Sequence, residues 1–200
     1  MASFYKTIAA PARGFFSDKK SKFYSFVYPV DNEEVIRDIL KKLRKEYHSA
    51  RHYVYAFRLG ADKSHYRYSD DGEPSGSAGL PVFNVIKSED LTNILIVVVR
   101  YFGGKKLGIP GLINAYSTSA MDAIKNANIV IRKITKVFEL SFPYSLLGSI
   151  MKFIEQNEGE ILEQNFSDSC KVLIKIPIDR QESFFSSLKN FYNLNITEKG

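Results

Sequence analysis

A single cysteine, Cys170, stands among 200 residues. One thiol excludes an internal disulfide framework and fits a reducing compartment. Long apolar runs are missing too. Ile94–Val99, the longest, is far short of the roughly 20 residues of a membrane helix. The opening residues, MASFYKTIAAPARGFF, lack the continuous apolar segment of a secretory signal. A cytoplasmic protein with no membrane partner is therefore expected. His48, His52 and His65 do not have metal-ligand spacing with Cys170. The acids Asp70, Asp71 and Glu73 have no second acidic cluster to complete a cation site. No metal and no cofactor are expected. There is no tandem repeat and no low-complexity tract.

What the chain has is an ordinary globular composition, 44% hydrophobic and 25% charged, enough for a core. The net charge of +6 is uneven. Residues 1–132 carry 20 Lys and Arg against 13 Asp and Glu, and residues 133–200 carry 8 against 9. A polyanion would meet the first part, although such an excess also serves solubility.

Residues 70–116 are the most informative stretch, DDGEPSGSAGLPVFNVIKSEDLTNILIVVVRYFGGKKLGIPGLINAY. Ile94–Tyr101 reads as a strand buried on both faces. It opens into Gly103–Gly108 and then a helix from Pro110. A second loop, Asp70–Gly79, leads into a helix through about Lys87. Glycines admit close backbone approach, and free N–H groups at a helix start favour anions.

Around this stretch, Phe4–Ala10 reads as an edge strand, broken by Pro11–Gly14, and Phe23–Tyr28 reads as a β-rich strand, with Lys19–Lys22 a basic turn or strand start. A helix opens at Asp31, with Asp31 as N-cap and Glu34 in the capping-box position. Its apolar positions Val35, Ile36, Ile39, Leu40, Leu43 and Tyr47 recur at helical spacing. The lysines and arginines between them read as a solvated face, with a nucleic-acid contact as the alternative. Arg51–Gly60 alternates as a strand, and Tyr66–Ser69 is a short strand that pairs with it. Past a boundary at Ile131–Ile134, the order is strand 136–142, helix 143–157, and strands 160–166 and 171–178 joined at Ser167-Asp168-Ser169. A helix capped by Asp179 through about Phe191 and a strand at 193–197 follow. This is the ferredoxin-like βαββαβ pattern.

Several constellations bear on chemistry. Asp70, Asp71 and Glu73 could hold a cation, pair with basic residues of the second loop, or serve only a turn. Ser75, Ser77 and His52 do not make a nucleophile elbow, and capping suits both hydroxyls better. Gly103-Gly104-Lys105-Lys106 places its lysines between the glycines, unlike a Walker A loop. Arg100, Lys105 and Lys106 remain candidate phosphate donors. Tyr101 and Phe102 either stack on an exposed base or finish the core strand.

Taken together, these strings resemble the IMPACT/YigZ family. The resemblance rests on Ser21-Lys22-Phe23, Arg51-His52 with Ala56-Phe57-Arg58, Ser69-Asp70-Asp71-Gly72-Glu73-Pro74, Ala78-Gly79 with Pro81, Val99-Arg100-Tyr101-Phe102-Gly103-Gly104, and Leu107-Gly108 with Gly111-Leu112 and Ala115-Tyr116. The tail resembles the small C-terminal domain of bacterial members, itself similar to a domain of elongation factor G. The resemblance implies an α/β (α+β) protein. Residues 1–132 would form a domain like the second domain of a ribosomal small-subunit protein, and residues 133–200 the ferredoxin-like domain. It also implies regulation of translation. Eukaryotic members act on a starvation-responsive kinase pathway through an added RWD domain, and no such domain is visible here. The chain departs from the family pattern at Ile109-Pro110, where Thr-Gly is usual, at Asn114, where a base is usual, and at Val54, where Cys is frequent.

These readings lead to a non-enzymatic regulator of translation that binds RNA or a ribosome-associated protein. The candidate anion or nucleic-acid contacts are Arg100, Lys105, Lys106, Gly103, Gly104, Arg51 and His52. Asp70, Asp71 and Glu73 would shape the facing loop or hold a cation. The alternative is a hydrolase or other enzyme acting on a phosphorylated or peptide substrate at the loop pair 70–79 and 103–111. A third class is an interaction module docking through the C-terminal sheet.

Overall fold

A computed structural model describes residues 3–167, 169–189 and 191–199. They form two compact units, Tyr5–Arg132 and the remainder from Lys133 onward with residues 3–4.

The first unit is built on a five-stranded antiparallel sheet in the order β2-β3-β6-β4-β5. Its strands are β2 (Ala12–Asp18), β3 (Ser21–Pro29), β4 (His52–Leu59), β5 (His65–Ser69) and β6 (Ile94–Tyr101). Central β6 is buried from Ile94 to Arg100. Its unbroken β-branched run has this cause, because both faces of the sheet are covered. Helix α1 (Glu33–Glu46) packs Ile36 and Leu43 against Phe26, Phe57, Leu95 and Val97. Helices α2 (Gly79–Ser88) and α3 (Gly108–Lys125) cover the other face, over Val54, Ile96 and Val98. The alternation read in β4 thus separates two cores rather than a core from solvent.

The small side chains of α3 allow close packing. A Cβ on Gly14 of β2 would lie 2.3 Å from the Ala123 backbone nitrogen. Strands β1 (Phe4–Ile8) and β7 (Ile129–Lys133) form a separate two-stranded sheet.

Local details correct three expectations. Asn32, not Asp31, caps α1: its side chain accepts from the Val35 N–H at 3.0 Å. β2 is a strand that begins where a break at 11–14 was expected. The final helix, α5 (Gln181–Leu188), has Arg180 at its N-cap position with no side-chain bond, so Asp179 does not cap it.

In the second unit, β8 (Thr135–Phe142), a 3-10 turn at Tyr144–Leu146, α4 (Leu147–Gln156), β9 (Glu160–Phe166), β10 (Cys170–Pro177), α5 and β11 (Asn195–Lys199) follow in turn. The sheet order is β11-β8-β10-β9, antiparallel throughout. This is the ferredoxin-like arrangement. Ile150 and Ile154 of α4 and Phe184 and Leu188 of α5 pack on Leu140 and Ile174. Of the expected β9–β10 turn, Asp168 lies outside the described residues.

Candidate functional site

Antiparallel pairing sets His52 at the start of β4 opposite Arg100 near the end of β6. Lys22, just past the β2–β3 turn, pairs with Tyr101. One end of the sheet therefore gathers the β2–β3 turn, the start of β4, the loop after β5 and the loop after β6.

Glu73 lies at the centre. Its Oε1 accepts from Arg100 Nη1 at 2.5 Å and from the Tyr116 hydroxyl at 2.7 Å. The Glu73 and Arg100 side chains are only 4% and 6% exposed. Burial first, then the Glu73 charge and hydrogen bond, push the Tyr116 phenol well above its usual pKa. His52 Nε2 lies 3.9 Å from the same Glu73 oxygen. Its Nδ1 is 2.8 Å from the Asp71 carbonyl, which can only accept, so Nδ1 carries the proton. In the neutral ring the lone pair is then on Nε2.

The other two acids support the loop. The Asp70 carboxylate accepts from the Gly76, Ala78 and Gly79 N–H groups at 2.9, 3.0 and 2.8 Å. Those amides include the start of α2, so a carboxylate already fills that helix end. The serines do not cap it: the buried Ser77 hydroxyl donates to the Pro74 carbonyl at 2.6 Å. Asp71 accepts from Arg44 at 2.7 Å and from the Tyr53 N–H at 2.6 Å. Arg44 also lies 4.6 Å over the Tyr53 ring. One cation of the α1 face is thus paired, although it stays half-exposed. Among the described residues, no three His, Cys, Asp or Glu side chains gather as a metal site.

The basic loops come together through glycine. A Cβ on Gly103 would fall 2.1 Å from the Lys20 carbonyl carbon. The Gly103 N–H donates to Ser21 Oγ at 3.1 Å. This joins the second loop to the β2–β3 turn. Lys19 and Lys20 form that turn with φ of 45° and 66°, between paired Asp18 and Ser21. Two successive left-handed residues are the signature of a type I′ hairpin, where Asn and Gly are favoured and lysine is strained. Lys19, Lys20, Lys105 and Lys106 are all exposed, and none pairs with a carboxylate among the described residues.

Beside them is a pocket of about 400 Å³. Arg51, His52, Glu73 and Arg100 line it together with Pro74, Phe102, Lys106, Leu107, Ile109 and Leu112. Arg100 is not an open phosphate donor, because Glu73 holds it. Its Nε, itself buried, has no hydrogen-bond partner among the described residues. Tyr101 pairs within the sheet and meets Tyr24 edge-on at 5.9 Å, whereas Phe102 is 45% exposed. Tyr101 therefore finishes the strand, and the Phe102 ring is left exposed.

Of the residues singled out from sequence, Arg51, His52, Glu73, Arg100 and Lys106 line one pocket. Gly103, Gly104 and Lys105 form its neighbouring loop, and Asp70 and Asp71 brace the facing one. Sequence reasoning did not connect Lys19 and Lys20 to this place, nor Tyr116 to Glu73. The signal for the lysines was the two-residue span between Asp18 and Ser21, short enough to be a hairpin turn.

A family model described as the Impact N-terminal domain matches residues 19–124. A domain of unknown function, DUF1949, matches residues 140–193. The chain is 33% identical over 153 residues to the IMPACT family member YvyE of Bacillus subtilis, covering 76% of this chain and 70% of that protein. It is 29% identical over 185 residues to the IMPACT family member YigZ of Escherichia coli, covering 92% and 91%. Protein IMPACT of Danio rerio is 32% identical over 97 residues, 46% of this chain and 30% of that protein. A crystal structure of a hypothetical protein superposes with a TM-score of 0.78 at 27% identity, over 100% of this chain and 99% of the other. With the N-terminal model matched across more than half its length, the chain belongs to the IMPACT family.

Proposed function

We propose that this protein binds RNA through the lysines at the end of its first sheet and thereby regulates translation, without catalysing a reaction. One observation carries the reading: Lys19-Lys20 and Lys105-Lys106, 85 positions apart in sequence, are joined by the Ser21–Gly103 hydrogen bond. Free cations on two adjoining loops suit the spaced charges of a phosphate backbone. The strain of two left-handed lysines is what a fold tolerates where a side chain is needed for function. Family membership places the protein beside IMPACT proteins of eukaryotes, which supports a role in translation.

The test is RNA affinity against salt. Four lysine–phosphate contacts to a single strand give a slope of log K on log salt of about −3. Changing all four lysines to Ala should flatten that slope and weaken binding to every sequence alike. A slope near zero in the unaltered protein would reject the reading.

A further inference from the structure

The pocket beside the lysines has a composition that the lysines alone do not explain. Its walls are Pro74, Phe102, Leu107, Ile109 and Leu112, and its charged groups are three cations and one carboxylate. The carboxylate, Glu73, is already neutralised by Arg100 and hydrogen-bonded by Tyr116. What is left for a ligand is positive, from Arg51 and Lys106. Arg100 lines the same pocket, but it is 5% exposed and committed to Glu73.

The apolar side has an aromatic face. The Phe102 ring is half-exposed and carries the Arg100 guanidinium 5.6 Å from its centroid. Ile109, 55% exposed, lies in the same lining. Exposed aromatic and apolar groups beside cations suit a planar heterocycle that bears an anion. His52 adds a specific polar group, because its Nδ1 proton is held by the Asp71 carbonyl and its Nε2 can accept. The volume, about 400 Å³, is in the lower part of the usual small-ligand range and suits one nucleotide-sized group rather than a length of chain.

We infer that this pocket binds a single nucleoside monophosphate unit, its base against Phe102 and Ile109 and its phosphate between Arg51 and Lys106. The unit is either a free mononucleotide or the phosphorylated terminal residue of an RNA. The second source rests on the RNA-binding reading above, whereas the pocket's chemistry does not.

Calorimetry on the full chain separates the possibilities. The ligands are AMP, adenosine, inorganic phosphate, and a ten-nucleotide RNA with either a 5′-phosphate or a 5′-hydroxyl. AMP is expected to bind one to one, at least tenfold more tightly than adenosine or phosphate. Phe102→Ala, at a half-exposed position, is expected to weaken AMP at least tenfold while leaving the urea midpoint within the range of surface substitutions. Arg51→Ala should weaken AMP and leave adenosine unchanged. A tenfold preference for the 5′-phosphorylated RNA assigns the unit to an RNA end. Equal binding of the two RNAs, with AMP still bound, assigns it to a free nucleotide. No saturable AMP binding together with no end preference overturns the inference. Salt-dependent RNA binding that persists in that case leaves the lysine reading intact.

Discussion

Glu73 and Arg100 form an ion pair with 2.5 Å between Oε1 and Nη1, both side chains almost fully buried. The pair joins the loop after β5 to the end of β6. A third member, Tyr116 of α3, donates to the same oxygen. Removing one partner of such a pair leaves the other charge buried without compensation. Glu73→Gln is therefore expected to cost about 3–5 kcal/mol, read from urea unfolding. Tyr116→Phe removes one hydrogen bond and keeps the pair, so about 1 kcal/mol is expected. Equal losses in the two variants would contradict the pairing.

Asp70 offers a second measurement. Its carboxylate takes three backbone N–H groups, two of them from Ala78 and Gly79 at the start of α2. Asp70→Ala should destabilise the protein by about 1–2 kcal/mol in thermal or urea unfolding, and Asp70→Asn by less, since an acceptor remains. A divalent cation should not raise the melting temperature, because this carboxylate is occupied by amides. A metal-dependent rise that Asp70→Asn abolishes would show the assignment to be wrong.

The lysine turn makes stability and binding move in opposite directions. Replacing Lys19-Lys20 by Asn-Gly puts residues that favour positive φ into a type I′ turn. Stability should rise, by about 1–2 kcal/mol per relieved residue at most. RNA affinity should fall, with a smaller salt slope. A variant that is more stable and binds RNA as before would separate the turn from function.

Alkaline pH tests the Tyr116 environment. Its phenol is pushed up mainly by burial, so the folded state holds the proton after an unfolded chain has released it. The stabilising contribution is complete below the ordinary tyrosine pKa and declines as pH rises above about 10. Between pH 9 and pH 11, Tyr116→Phe should lose about 1.4 kcal/mol less stability than the unaltered protein, the worth of one proton over one pH unit. Equal losses would mean that Tyr116 ionises in the folded state.

The parts of the fold that could be read from sequence are those with strong local periodicity. The β6 run, the α1 stripe and the β4 alternation each declare themselves, and the βαββαβ order of the tail follows from element succession. β2 was hidden because Gly14 sits in its middle and Phe15 faces outward, so no alternation of burial shows in the residue types. β7 was hidden because none of its residues is buried and its partner is β1, far away in sequence.

The site was half legible. Glycine, acid and base strings marked the two loops, but the acids' partners depend on tertiary placement. Arg100 looked like a free cation because nothing local announces that Glu73, 27 positions earlier, folds over it. Asp70 and Asp71 looked alike, yet one fills a helix start and the other ties Arg44 to β4.

The Ser21–Gly103 hydrogen bond gives the four lysines a property separate from their charge. Their spacing is set by main chain and one hydroxyl, with a glycine where no side chain would fit. Among the described residues, no ion pair holds them in place. Concentrated salt can therefore mask their attraction for a polyanion without rearranging them. The loops act as a ruler whose markings outlast the force that makes them useful, and lowering the salt should restore binding with no refolding step.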